Sequence, residues 1–371
     1  MTESLFIGLM SGTSLDGVDV ALVAFNQDSS ADQHAPRVLH THFLAYPLSL
    51  RQQILALQHP TENELETTAL MANTLAILYA EAVNQLLAIH QVSPEKITAI
   101  GCHGQTIRHR PEQQFTLQIG NAPLLAELTN ITVVADFRSR DIAAGGQGAP
   151  LVPAFHQAVF ASYQENRALI NIGGIANITY LPKTGEVLGF DSGPGNMLLD
   201  AWIMQHKNLA FDADGAWASS GQVIEPLLAA MLAEPYFTLP PPKSTGRDLF
   251  NDAWLAQKLS GKNYHAQDVA RTLVELSAQT IHNALLLNCG MVDSVYLCGG
   301  GARNTLLKNR LQTLLPQTKV ETTAALGIGV DWLEAIAFAW LAQKCLQQKT
   351  ANLPQVTGAK GARILGAIYQ S

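Results

Sequence analysis

The chain is 371 residues long, enough for about two domains, and it is 47% hydrophobic with 14% charged residues. That balance excludes a disordered, core-poor chain. A formal net charge of −7 argues against a nucleic-acid or anionic-membrane surface, which needs basic patches. It is compatible with a nucleotide, because phosphates are held by backbone N–H groups and a metal as readily as by bulk charge.

In chain order the first half reads β-β-β-α-β-α-β. Strands are predicted over 5–10, 18–25 and 38–46, followed by a helix over 62–90. There Leu65, Ala69, Ala72, Leu75, Ala76, Tyr79, Val83 and Leu86 recur at helical spacing. A strand over 97–102, a helix over 123–128 and a strand over 131–135 complete an α/β layer with a mixed sheet. A glycine-rich crossover over 143–150 follows, and the order begins again with strands over 168–172, 175–181 and 187–190. A strand over 292–298, a helix over 304–315 and an amphipathic helix over 330–346 come later, and 362–368 packs back on one of the domains. The expected division is a first domain over 1–130, completed by 347–371, and a second over 131–346.

Cys102, Cys289, Cys298 and Cys345 never stand at Cys-x-x-Cys spacing, so neither a zinc knuckle nor a redox motif is expected. The chain does not open with a basic segment followed by a long apolar stretch, and no window is long enough to span a bilayer without polar interruption. A cytoplasmic protein is the expectation.

Three turns have the composition for approaching phosphate. Gly12-Thr13-Ser14-Leu15-Asp16-Gly17 joins two strands with small residues that leave backbone N–H groups accessible. Val18 and Asp19 continue it. Asp16 suits a contact through Mg²⁺, and an Asp-Gly pair is equally an ordinary hairpin turn. Gly173-Gly174 is the matching turn of the second half, and Gly299-Gly300-Gly301 sits between a strand and a helix, where it suits a nucleotide's base and ribose. A P-loop motif is absent.

Asp191, in Gly189-Phe190-Asp191-Ser192-Gly193-Pro194-Gly195-Asn196, ends a predicted strand before a helix. There the helix dipole would favour its ionised form, as a general base requires; the same position suits a helix N-cap. Arg138 and Arg140 follow the 131–135 strand and fit either a clamp for a substrate carboxylate or a surface ion-pair cluster. His103 and Gln105, after the 97–102 strand, are candidates to bond a sugar or to lock their loop. Glu334 opens the last long helix, where acids are expected for dipole reasons, and is a further substrate-binding candidate. Residues 240–247, Pro-Pro-Pro-Lys-Ser-Thr-Gly-Arg, form a stiff loop that reads as a lid or a linker.

Together the segments Ile7 to Asp19, Gly101 to Thr106, Asp136-Phe137-Arg138, Ala143 to Pro153, Asn171 to Asn177, Phe190 to Asn196 and Gly299 to Asn304 resemble the anhydro-N-acetylmuramic acid kinases of bacterial cell-wall recycling along essentially the whole chain. Ser192 stands where Thr is as readily expected, an exchange that keeps the hydroxyl. The resemblance implies two RNase H-like, actin-like ATPase domains with a central ATP and substrate cleft, and a homodimer. It implies ATP and Mg²⁺ as cofactors, with Asp16 at the metal and Gly12 to Asp19 at the phosphates. Asp191 would deprotonate the water that opens 1,6-anhydro-N-acetylmuramic acid, giving N-acetylmuramic acid 6-phosphate and ADP. Two rivals share the fold: a kinase of another sugar or small carboxylate, and a non-enzymatic ATP-dependent sensor. A serine hydrolase is discounted for want of a Gly-x-Ser-x-Gly elbow.

Overall fold

A computed structural model describes residues 3–12, 15–26, 36–60 and 62–371. The chain forms two compact units, Met1–Val159 with Trp332–Ser371, and Phe160–Asp331.

The first unit is built on strands β1 (Glu3–Met10), β2 (Gly17–Asn26) and β3 (Arg37–Ala45), then helices α1 (Leu48–Ala56) and α2 (Glu64–Ile89). Strand β4 (Ile97–Cys102), the hairpin β5 (Gln105–Arg110) and β6 (Phe115–Ile119), helix α3 (Ala122–Thr129), strand β7 (Val133–Ala135) and helices α4 (Ser139–Ala143) and α5 (Val152–Phe160) follow. The α2 face carrying Met71, Leu75, Tyr79, Val83 and Leu86 is buried in the core with Ile7, Leu9, Val20 and Leu22, as its period requires. Asn121 caps α3 by accepting the Leu124 N–H at 3.1 Å.

The second unit holds β8 (Arg167–Ile172), β9 (Ile175–Leu181), β10 (Leu188–Pro194), α6 (Met197–Lys207), α7 (Glu225–Leu232), α8 (Asp252–Leu259) and α9 (Ala266–Asn288), then β11 (Ser294–Cys298), α10 (Thr305–Leu314) and β12 (Lys319–Thr322). The chain then rejoins the first unit with α11 (Leu333–Leu346), α12 (Pro354–Thr357) and β13 (Ala367–Tyr369).

The two sheets repeat one plan. The first has the order β13-β7-β4-β1-β2-β3 and the second β10-β9-β8-β11-β12. Leaving out β13, each runs third-second-first-fourth-fifth in its own chain order. The first strand is antiparallel to the second and parallel to the fourth in both. This is the expected RNase H-like layout in duplicate, and it puts the C-terminal ends of each unit's parallel strands on one edge, where ligands of open α/β sheets bind.

The division differs from the expected boundaries at 130/131 and 346/347. β7 pairs in parallel with β4 and so belongs to the first sheet. α11 lies against that same sheet so closely that a Cβ on Gly8 would fall 1.7 Å from the Ala335 carbonyl oxygen, and one on Gly101 2.0 Å from that of Phe338. The missing side chains of two glycines on adjacent strands are what let the helix settle there. The segment 347–371 lies in the first unit.

Candidate active site

In the first unit, the loops leaving β1, β4 and β7 meet. His103 Nδ1 lies 3.3 Å from the carbonyl of Ser11, and Arg138 donates to His103 Nε2 through Nε at 3.1 Å and through a terminal nitrogen at 2.9 Å. The other terminal nitrogen donates to the Gly148 carbonyl at 2.8 Å. Burial, and then the Arg138 charge, push the His103 imidazole down to about 3, so it is neutral. Burial also lowers Arg138 to about 10, against the pull of Glu334 and Asp141; it stays a cation. A guanidinium has five N–H donors, and these bonds leave two for a ligand.

Gln105 is 0% exposed. Its amide donates to the Gly12 carbonyl at 3.2 Å while its oxygen accepts from the Ser11 hydroxyl, which itself accepts from Tyr46 at 2.7 Å. Asp141, also 0% exposed, accepts from the Gly148 N–H, Asn352 and the Thr357 hydroxyl at 2.8, 2.6 and 2.8 Å. It thereby ties the glycine crossover to the C-terminal segment.

In the second unit, the ends of β8, β10 and β11 bring the glycine turns together. The N–H groups of Gly195 and Asn196 donate to the carbonyls of Gly174 and Gly173 at 2.9 and 2.8 Å, and the Asn196 side chain donates to Ile172 at 3.2 Å. A Cβ on Gly301 would lie 2.3 Å from the Ile172 side chain, and one on Gly299, at φ +75°, 2.3 Å from the Asn171 amide oxygen. Glycine is required at both places.

Asp191 lies within β10, opposite Asn177 and beside a register shift. Its Oδ2 accepts the Thr245 N–H at 3.0 Å, and its carbonyl accepts the Tyr236 hydroxyl at 2.8 Å. Burial raises the carboxyl to about 6, against the Thr245 hydrogen bond and the Lys243 charge. The expected lowering by a helix dipole is therefore corrected: α6 begins only at Met197 with Asn196 as its N-cap residue, so Asp191 neither caps it nor sits in its field, and desolvation dominates.

The structure brings His103, Arg138 and Glu334 together with Gln105 and Gly12. Arg140 is exposed on α4, outside this cluster. His103 and Gln105 lie beneath the Ser11-Gly12 segment with their polar atoms engaged by protein, which suits them to hold that segment rather than to meet a sugar. Of the expected phosphate loop, Thr13 and Ser14 lie outside the described residues. Leu15 and Val18 are core side chains at 1% and 0% exposure, Asp16 is exposed, and Gly17, Val18 and Asp19 belong to β2. Gly173, Gly174, Gly299, Gly300 and Gly301 lie close together around Ile172 and Asn196. Asn196, Thr245 and Tyr236 stand around these groups without having been expected there; the stiff 240–247 loop points to Thr245, and nothing local in the sequence marks Tyr236.

A duplicated sheet of this order, with glycine turns at its ligand edge and a half-buried acid on the third strand of one copy, defines an actin-like α/β fold. The family model described as anhydro-N-acetylmuramic acid kinase matches residues 4–371. A protein of that name from Nitrosomonas europaea is 52% identical over 366 residues, covering 98% of this chain and 99% of the relative. One from Chromobacterium violaceum is 52% identical with 100% of both chains covered, and one from Pseudomonas putida 50% identical with 99% of both. The chain belongs to the anhydro-N-acetylmuramic acid kinase family.

Proposed function

We infer that this chain is an ATP-dependent kinase that opens 1,6-anhydro-N-acetylmuramic acid with water and phosphorylates the freed 6-oxygen, in peptidoglycan recycling. The observation that carries the reading is the family match over residues 4–371. The half-buried position of Asp191, with one carboxylate oxygen held by Thr245, supports its role as the base. A carboxyl raised to about 6 is ionised at neutral pH, yet takes a proton more readily than an ordinary aspartate, which is what base catalysis favours. Asp191 removes a proton from water as that water attacks the anomeric carbon. The acetal C–O bond breaks, and its electron pair stays on the 6-oxygen, which attacks the γ-phosphorus of ATP as ADP leaves.

Two N–H groups of Arg138 that no described residue engages suit the lactyl carboxylate of the substrate, and the gathered turns at Gly173-Gly174 and Gly299 to Gly301 of the second unit suit the nucleotide. Among the described residues no cluster of three His, Cys, Asp or Glu side chains is placed to hold a metal. Exposed Asp16 beside a glycine turn fits instead a Mg²⁺ that arrives on the nucleotide's phosphates. That ion supplies charge neutralisation at the transferring group. The setting is cytoplasmic and the assembly a homodimer; no helix among the described residues is long and apolar enough to cross a membrane.

Turnover in H₂¹⁸O tests the reading. The label should enter the anomeric hydroxyl of the sugar phosphate and stay out of the phosphoryl group, as read by mass spectrometry. Label in released inorganic phosphate, with no phosphorylated sugar, would mark an ATP hydrolase instead.

A further inference from the structure

Asp191 is gripped by one short stretch of chain. Its backbone N–H donates to the carbonyl of Lys243 at 3.1 Å, its carbonyl accepts from Tyr236 at 2.8 Å, and Oδ2 accepts from the N–H of Thr245 at 3.0 Å. Lys243 fastens this stretch to itself. Its Nζ donates to the carbonyls of Tyr236 and Phe237 at 3.3 and 3.2 Å and lies 4.8 Å from the centroid of the Tyr236 ring. A lysine with no task beyond solubility extends its ammonium into water; this one folds back, uses two donors on half-buried carbonyls, and presents its charge to an aromatic face.

We propose that Lys243 is a positioning residue for the base: it pins the 243–245 segment to the 236–237 turn, fixes the direction of the Asp191 carboxylate and holds a positive charge beside it. The proposal rests on the reading of Asp191 as the base. The titratable groups around Asp191 within its unit are Lys243 from the loop and Tyr236 from the turn. Strand β9 presents Asn177 opposite it, and α9 presents Ser277 and Thr280 to this end of β10; none of these carries a charge. Among the described residues Lys243 is thus the one cation whose field opposes protonation of Asp191. Taking it away makes the carboxyl harder to ionise, so base activity should be lost at a higher pH than in the parent protein.

The experiment compares kcat/KM for the anhydro-sugar from pH 5 to 9 in the parent, Lys243→Met, Lys243→Arg and Lys243→Gln, with Asp191→Asn as control. In Lys243→Met the acid limb should move to higher pH, with activity down several-fold at pH 6; orientation lost with the clasp lowers kcat at pH 8 as well. Lys243→Arg should keep the limb. Lys243→Gln retains a donor for the two carbonyls without the charge, so it should show the displaced limb with kcat at pH 8 within about twofold of the parent. It carries the test if the Met variant does not fold. A uniform loss at every pH in both Met and Gln variants, or no change in either, overturns the proposal. If Asp191→Asn still turns over, the reading of the base itself fails; if that variant is inactive while the limb stays in place without Lys243, only the role of Lys243 fails.

Discussion

Arg138 and His103 are joined by two hydrogen bonds to one ring nitrogen, His103 Nε2, at 3.1 and 2.9 Å. A nitrogen that accepts from a guanidinium carries no proton, so the imidazole proton resides on Nδ1, facing the Ser11 carbonyl. His103 should therefore show no titration between pH 5 and 9 by ¹⁵N NMR. The sign for stability follows. His103, and His156, which burial also lowers to about 3, take up protons in the unfolded chain near 6.5 but in the folded chain only near 3. Their contribution is complete above about pH 6.5 and is lost as pH falls toward 3. A protonated His103 signal at pH 5 would contradict this.

Asp191→Asn should reduce turnover at least about 100-fold while calorimetry with a non-hydrolysable ATP analogue gives unchanged affinity. It should also raise the melting temperature at pH 7.5. The Asp191 carboxyl is raised in the folded state to about 6, so the folded protein binds its proton more tightly than the unfolded chain does. Stability therefore falls as pH rises from about 4 to 6 and the penalty is in full force above; the neutral amide removes it. The gain should shrink on titration below pH 4.

Arg138→Ala should raise KM for the anhydro-sugar acid about 10- to 100-fold, the loss expected for a charge-assisted pair, and should raise it far less for an anhydro-sugar lacking the lactyl group. Equal effects on both substrates in steady-state assays would assign Arg138 to bracing His103 and Gly148 alone. Lys at this position cannot span both partners with a planar fork and should rescue poorly.

Gly8→Ala and Gly101→Ala should each destabilise the protein by about 1–3 kcal/mol through overpacking, because the new methyl meets the α11 backbone rather than a side chain that can turn aside. Urea unfolding followed by far-UV circular dichroism measures this. Gly185→Ala is the control: nothing lies within 4 Å of its added Cβ, though its φ of +104° carries some strain.

Much of the strand order was legible because β1, β2, β4, β8, β9 and β11 are runs of apolar, β-branched residues between glycine-bearing turns. The β5–β6 hairpin was not: Arg108, His109 and Arg110 disguise a two-stranded ribbon that packs little into the core. β10 continues through Asp191-Ser192-Gly193-Pro194, a composition that reads as a turn; the register shift after Asp191 is what lets a strand carry it. α11, expected as amphipathic, is instead buried along nearly its whole length, and its apolar pattern does not say which sheet it covers. That choice is fixed by Gly8 and Gly101, hundreds of residues earlier. Residue type marked His103 and Gln105 as site residues, but not that they face inward beneath Ser11 and Gly12, since a polar side chain at a strand end serves a ligand or a loop equally well.

The chain leaves the first unit at Val159 and returns at Trp332, and this has a bearing on biosynthesis. On the ribosome, the second unit is translated as one uninterrupted stretch and is able to collapse as soon as β12 emerges, since domains fold as they appear. The first must wait: its glycine-flattened strands β1 and β4 have no α11 to cover them until the last forty residues are made. For most of synthesis that bare sheet face is the part of the nascent protein most open to chaperones and to aggregation, so truncations removing the C-terminal segment should yield insoluble first units beside a soluble second.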